Sequence, residues 1–221
     1  MIDIEKYKEL KAELGNKATL VAVSKTKSPE EIKALYDLGQ RDFGENYVQE
    51  LKTKAGQLPA DIRWHFIGHL QTNKVKYIAP FVHLIQTVDS FKLLKEINRQ
   101  AQKNNRVISC LLQLHIAQEE TKFGLDEEEL NMLIRNYRSE EINYVQICGL
   151  MGMASFTQDM DKVRKEFRRL KTLFDTYCKE LSVAGNQLSI LSMGMSSDYK
   201  IAVEEGSNMV RIGSLLFGER S

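Results

Sequence analysis

A compact (β/α)8 TIM barrel is the fold the sequence predicts: one α/β domain over residues 1–221 with an extra helix at its N-terminus. Three observations lead there. Short apolar runs alternate with amphipathic segments eight times along the chain. These runs are rich in β-branched residues and lack helical period, as strands buried in a parallel sheet do. No proline- or serine-rich linker divides the chain, which holds only 3 prolines in 221 residues. Eight units in that length sit near the lower size limit of the barrel. A doubly wound sheet shares the alternation, since period alone does not say whether a sheet closes.

The elements follow in order. Asp3 to Leu14 reads as an amphipathic helix ending at Gly15, and Thr19 to Ser24 as the first strand, with Lys25 at its carboxyl end. Ser28 is a good N-cap and Pro29 fits the first helical position, so a helix runs from Pro29 to Leu38 and closes at Gly39. Arg41 to Gly44 is the second strand, and Glu45-Asn46 leads into a helix from about Tyr47 to Leu58. The third strand, Arg63 to Ile67, passes through Gly68-His69-Leu70 to a short helix from Asn73 to Ile78. His83 to Val88 is the fourth strand, and Asp89-Ser90 caps the helix from Phe91 to about Asn104.

Val107 to His115 is the fifth strand. Its loop runs through Glu119, Glu120, Thr121, Lys122, Phe123 and Gly124 before Asp126 opens an acidic helix. The sixth strand, Tyr144 to Leu150, leaves through Met151, Gly152 and Met153 towards a long helix from roughly Gln158 to Leu181. Ser189 to Met193 and Met209 to Ile212 are the seventh and eighth strands. Between them Asp198 to Glu205 makes one short helix, ended by Gly206.

Composition removes several function classes. With 31 Lys and Arg against 30 Asp and Glu, the formal net charge is +1. The sharpest basic stretch, Lys162 to Lys171, carries Asp161 and Glu166 within or beside it at helical spacing and reads as a solvated helix face. Nucleic acid is therefore not an expected partner. No apolar run approaches the roughly 18 residues of a membrane span, and Met1-Ile2-Asp3-Ile4-Glu5 is no signal peptide. Three cysteines, an odd number without a signal, imply a reducing compartment. A soluble, cytoplasmic, monomeric protein is expected.

In parallel α/β proteins ligands bind at the carboxyl edge of the strands, where Lys25 stands. On position alone it reads more simply as a solvated loop lysine. After the seventh strand comes Met193-Gly194-Met195-Ser196-Ser197-Asp198, and after the eighth Arg211-Ile212-Gly213-Ser214. Glycines and small hydroxyl residues there leave backbone N–H groups to face an anion, and these two loops are the recurrent phosphate site of barrels. Ser196 or Ser197 as a plain N-cap, and Gly213 as a turn glycine, are the simpler alternatives for either loop alone. Arg211, between Val210 and Ile212, points opposite to both and either reaches the surface or enters the barrel mouth, where it needs a partner. Strand one neighbours strand eight in a closed barrel. An amine, a phosphate cradle and a ring-nitrogen donor together suit pyridoxal 5'-phosphate held as a Schiff base.

His65 and His69 have i,i+4 spacing, but that joins metal ligands only on a helix, and Trp64 to Ile67 reads as strand. No metal is expected. His69 falls in the third loop at the barrel mouth, and Met151, Met153 and Met193 fall near strand ends as cofactor-facing packing or core.

Several stretches resemble the YggS/PROSC family of pyridoxal phosphate homeostasis proteins, single-domain barrels similar to the N-terminal domain of bacterial alanine racemase. They are Val21-Ala22-Val23-Ser24-Lys25-Thr26-Lys27, Phe43-Gly44-Glu45-Asn46-Tyr47-Val48-Gln49-Glu50 and His65-Phe66-Ile67-Gly68-His69-Leu70-Gln71-Thr72-Asn73-Lys74. Leu191 to Asp198 and Met209 to Ser214 complete the resemblance, which spans the chain from first strand to last. It implies Lys25 as the Schiff-base lysine, Asn46 beside the cofactor, Ser196, Gly213 and Ser214 on the phosphate, and Arg211 on the pyridine nitrogen. The family often has threonine where Ser214 stands; the hydroxyl is kept. Lys27 is the nearest rival to Lys25, and its position two residues further on points it towards solvent.

An arginine keeps its proton, so it donates to the ring nitrogen and leaves that nitrogen unprotonated, a weaker electron sink than a pyridinium. The implied function is a pyridoxal phosphate carrier without catalytic turnover, with amino acids or apoenzymes that use the cofactor as partners. A racemase of the same barrel type is the alternative, and an aldolase using Lys25 without a cofactor is a third. The racemase needs a second base, which alanine racemases take from a separate domain, and the chain's end at Ser221 is expected to leave no room for one.

Overall fold

The computed structural model describes residues 2–117, 123–182 and 188–218. Eight parallel strands close into a barrel in sequence order, and the last pairs back onto the first. The open-sheet alternative is thereby removed. In chain order the elements are α1 (Ile4–Leu14), β1 (Thr19–Val23), α2 (Pro29–Asp37), β2 (Asp42–Glu45), α3 (Val48–Ala55) and β3 (Arg63–Phe66). A 3-10 turn at Thr72–Lys74 leads into α4 (Val75–Ile78), then β4 (Leu84–Val88), α5 (Phe91–Lys103), β5 (Ile108–Leu114) and α6 (Glu127–Ser139). The chain continues through β6 (Val145–Gly152), α7 (Met160–Ser182), β7 (Ile190–Ser192), α8 (Tyr199–Glu204), β8 (Met209–Ile212) and α9 (Ser214–Phe217).

Local chemistry sets the helix starts. Asp3 accepts from the Lys6 N–H at 2.9 Å ahead of α1. Ser28 and Glu31 form a reciprocal capping box at α2, and Asp126 and Glu129 form another at α6. Some boundaries differ from expectation. β2 begins one residue later and takes in Glu45, and β6 runs on through Met151 and Gly152. Met151 thus packs inside the barrel instead of on an exit loop. α9 has no counterpart in the sequence reading, since four residues directly after a strand carry too little period to register. The expected loop residues Glu119, Glu120, Thr121 and Lys122 lie outside the described residues.

The core has two layers. Between strands and helices, fully buried Leu10, Ile32, Leu35, Phe43, Leu51 and Phe167 belong to the larger layer, each worth about 1.5–3 kcal/mol of burial. Inside the barrel the apolar set is small: Val21, Leu84, Leu111, Met151 and Met209. The remainder of that interior is polar, with His65, Gln86, Ser192 and Arg211 all buried. Among the described residues no helix is long and apolar enough to cross a membrane.

Candidate functional site

Lys25 follows the end of β1 at the carboxyl face of the barrel, and the backbone of its neighbours on both sides, Ser24 and Thr26, is held. Lys54 of α3, buried, donates from Nζ to the Ser24 carbonyl at 2.7 Å, to Glu45 Oε1 at 2.8 Å and to Glu50 Oε1 at 2.6 Å. Those three bonds use all three ammonium donors. Ser24 Oγ donates to Glu45 Oε1 at 2.6 Å, and the Thr26 N–H donates to Glu50 Oε1 at 2.5 Å. Thr26 itself adopts φ 66°, a left-handed conformation unfavourable to a β-branched residue, and the Glu50 bond secures it. Burial pushes the Glu45 carboxyl above its usual range, although Lys54 and Ser24 oppose the shift. The sequence offered no sign of this clamp: Glu50 and Lys54 have the spacing of any solvated i,i+4 helix pair.

A cavity of about 490 Å³ opens at this face, and Lys25, Asn46, Ser196, Arg211, Gly213 and Ser214 all line it. The six residues singled out in the sequence are therefore brought together from β1, the β2 exit, the β7 loop and β8. Ser196 and Ser197 are not helix caps, because Asp198 holds the cap position of α8. Asp198 Oδ1 accepts from the Met195 N–H at 2.6 Å and closes the β7 loop on itself. The loop turns at Gly194, where φ is +98° and an added Cβ would meet Ala202 Cβ at 2.6 Å. The Gly213 N–H donates to Ser196 Oγ at 3.3 Å and links the β7 and β8 loops. Ser214 begins α9, where the Leu216 and Phe217 N–H groups both donate to the Gly213 carbonyl at 2.9 Å.

Arg211 enters the barrel, not the surface. It is 4% exposed, with Nη1 donating to Ser192 Oγ at 2.6 Å and Nη2 to the Gly152 carbonyl at 3.1 Å. Burial pushes its guanidinium down to about 10, with the Asp198 carboxylate opposing, so it stays charged at neutral pH. Lys27 corrects the expectation of a solvent-directed side chain. It is half-buried on the cavity wall, and its Nζ donates to the Phe217 carbonyl at 3.0 Å. The α9 turn, which the sequence did not announce, supplies that acceptor.

Two further observations bear on what the cavity can hold. Asn46 Oδ1 is buried on its wall without a hydrogen-bond partner among the described residues, an acceptor that a hydroxyl or N–H donor of a bound ring would satisfy. Gly68 lets the Asn46 backbone approach closely across the β3 exit, where a Cβ would lie 2.2 Å from the Asn46 carbonyl oxygen. His65 and His69 do not converge. His65 is buried within the barrel beside Asp42, whereas His69 stacks on Phe123 with centroids 4.2 Å apart and lines a neighbouring hollow that shares Asn46. Among the described residues no group of three or more His, Cys, Asp or Glu could hold a metal ion. An amine, a charged guanidinium, an unsatisfied amide oxygen and two serine loops suit a phosphorylated aromatic aldehyde, which is what pyridoxal phosphate is.

Comparison with known proteins agrees with this geometry. The family described as "Alanine racemase, N-terminal domain" matches residues 4–221. A pyridoxal phosphate homeostasis protein of Aquifex aeolicus is 44% identical over 206 residues, covering 93% of this chain and 88% of the relative. Among solved structures, PipY of Synechococcus elongatus PCC7942 with pyridoxal phosphate bound has a TM-score of 0.88 at 33% identity, covering 97% of this chain and 99% of that one. An alanine racemase of Bartonella henselae with covalently bound pyridoxal phosphate has a TM-score of 0.71 at 18% identity; 97% of this chain matches 59% of that one. That likeness concerns the barrel fold alone. With its matched region covering nearly the whole chain, the protein belongs to the alanine racemase N-terminal domain family, and within it to the pyridoxal phosphate homeostasis proteins.

Proposed function

We propose that the protein binds pyridoxal 5'-phosphate in the cavity at the carboxyl face of the barrel and serves as a carrier in its homeostasis, without significant catalytic turnover. The observation that carries this reading is the convergence of Lys25, Arg211, Asn46 and the two serine loops on one cavity. When bound, the cofactor supplies an aldehyde with which an uncharged lysine amine condenses, releasing water. Lys25 is the amine assigned to that attachment, in a backbone fixed on both sides by Glu45, Glu50 and Lys54. Ser196, Gly213 and Ser214 hold the phosphate. Arg211 donates to the ring nitrogen and, being charged, leaves it without a proton. Asn46 presents its unsatisfied oxygen to the ring's substituents.

The absence of turnover is supported by the cavity wall. Among the described residues lining it, the ionisable ones are Lys25, Lys27 and Arg211; tyrosine, histidine and carboxylate do not occur there. Two-base racemisation needs an acid and a base on opposite faces of the substrate, and losing a positioned one costs about 10²–10⁴ in rate. Lys27 is tied to the Phe217 carbonyl. Chiral chromatography of L-alanine and other amino acids with saturating cofactor is expected to show no turnover near the 1 s⁻¹ or so of a working enzyme. Such turnover, abolished by Lys25→Ala, would make the protein a racemase. Recipients in the carrier reading are amino acids or apoenzymes that use the cofactor, and the carrier acts as a cytoplasmic monomer.

The phosphate assignment is tested separately. Ser196→Ala combined with Ser214→Ala is expected to weaken pyridoxal phosphate much more than unphosphorylated pyridoxal, since each hydrogen bond to a charged group contributes about 1.5–3 kcal/mol. Equal losses for the two ligands, measured by titration, would take the loops out of the phosphate site.

A further inference from the structure

Arg211 is connected across the whole barrel interior to a carboxylate on the opposite face. Its Nη1 lies 2.6 Å from Ser192 Oγ, Ser192 Oγ lies 2.7 Å from Gln86 Oε1, Gln86 Nε2 lies 3.0 Å from His65 Nδ1, and His65 Nε2 lies 3.0 Å from Asp42 Oδ1. Asp42 opens β2 at the amino-terminal face, beside a hollow distinct from the Lys25 cavity. Every side chain in the series is buried: Ser192 and Gln86 at 0%, His65 at 1%, Arg211 at 4% and Asp42 at 7% exposure. None of the three middle residues lines the cofactor cavity.

The direction of each bond follows from the two ends. A guanidinium only donates, so Ser192 Oγ accepts from Arg211 and its single O–H is left for Gln86. Gln86 must then turn its oxygen to Ser192 and its amide N–H towards His65. His65 Nδ1 accepts that N–H, and the proton of the neutral ring therefore sits on Nε2, facing Asp42. Asp42 accepts it as a carboxylate: burial alone would raise its pKa, but the bonds from Arg63 and His65 outweigh burial and hold it well below the usual carboxylate range. All four bonds thus donate towards Asp42, a head-to-tail series in which each bond polarises the next. Turning the Gln86 amide over alone would set its N–H donors against the Ser192 O–H and its oxygen against His65 Nδ1.

We propose that Asp42, His65, Gln86 and Ser192 form a positioning relay that holds Arg211 at the angle from which it donates to the ring nitrogen of the bound cofactor. The proposal rests on the reading that Arg211 faces that nitrogen. An isolated arginine with one serine and one carbonyl as acceptors could swing about χ4; the relay fixes the serine's lone pair and so fixes the guanidinium. The four are positioning residues, since among them only Ser192 touches Arg211 and none lines the cavity.

The test uses the full-length protein in two states. In the ligand-free protein, exchange of the Arg211 guanidinium protons with solvent is followed by NMR. In the protein loaded with ¹⁵N-labelled pyridoxal phosphate, the ring-nitrogen chemical shift is read. Gln86→Met keeps the side-chain volume and breaks the relay two links from Arg211; Asp42→Asn alters its far end. Leu84→Ala, an apolar loss in the same interior, is the control for simple destabilisation, and Arg211→Glu is the reference for the nitrogen signal. Gln86→Met is expected to speed guanidinium exchange by roughly two- to tenfold, the worth of one hydrogen bond between neutral groups, and to move the nitrogen shift. Asp42→Asn is expected to move both readouts in the same direction by less, and Leu84→Ala to move neither. If Gln86→Met fails to fold, Asp42→Asn decides by the same two readouts. A nitrogen shift that responds to Arg211→Glu but not to Gln86→Met or Asp42→Asn would overturn the relay alone. A shift indifferent to Arg211→Glu would overturn the Arg211 reading and the relay with it. A response to Leu84→Ala equal to that of Gln86→Met would reduce the series to ordinary packing and overturn the proposal.

Discussion

Lys25→Ala is expected to abolish covalent attachment of pyridoxal phosphate altogether. Borohydride treatment of the loaded wild type should fix the cofactor to one peptide, the one containing Lys25, and the substituted protein should yield none. The effect is total because a methyl group has no nitrogen to condense with the aldehyde. Two other lysines could in principle report a different answer. Lys27 is already on the cavity wall, but its amine is engaged by the Phe217 carbonyl at 3.0 Å. Lys122 lies outside the described residues. Mass mapping of the reduced cofactor to either in the Lys25→Ala protein would overturn the assignment. The fold should survive, since Lys25 is half-buried at a strand exit and the clamp from Lys54 and Glu50 acts on the backbone of its neighbours. Weak non-covalent binding through the serine loops should remain, so loss of the trapped peptide with retained phosphate-dependent affinity separates anchoring from capture.

Much of the barrel was legible because its signals are local. A β-branched run followed by Ser28-Pro29 announces both the end of β1 and the start of α2, and the same logic placed Lys25 at the carboxyl edge. The ordinal position of the β7 and β8 loops made Ser196, Gly213 and Ser214 readable as one pocket, and the structure joins them through the Gly213–Ser196 bond. Local signals also explain what escaped. Glu45, Glu50 and Lys54 form their cluster only because β2 and α3 fold back beside β1, and nothing in their spacing marks them as buried. Gln86, Ser192 and His65 sit in mostly apolar stretches of three separate strands, so each reads alone as a polar residue in a core strand. Their connection exists only once the barrel closes. α9 was missed because four residues cannot display a helical period, and with it went the acceptor that turns Lys27 inward.

Arg211→Glu is expected to produce the second large effect, on stability and on the cofactor together. At 4% exposure, the arginine gives two donors to acceptors that stay in place, Ser192 Oγ and the Gly152 carbonyl. An introduced carboxylate cannot donate to the Gly152 carbonyl, and it replaces a satisfied buried cation with an anion facing an acceptor. Uncompensated buried charge of this kind costs about 3–5 kcal/mol, readable as a lower urea midpoint. Burial raises the introduced carboxyl's pKa above its unfolded value. The loss is therefore largest at neutral and alkaline pH and shrinks as pH falls through that raised value, where the neutral acid can donate to Gly152. In protein that still folds and binds, the carboxylate stabilises a protonated ring nitrogen where the guanidinium could not. The ring becomes a stronger electron sink, and exchange of an amino acid's Cα proton in deuterated water should quicken. A bound, folded variant with an unchanged ring-nitrogen ¹⁵N shift and unchanged exchange would show that Arg211 does not face the ring. The joint signature matters more than either part: a core defect alone lowers the urea midpoint, and only a change at the ring nitrogen moves the cofactor's proton.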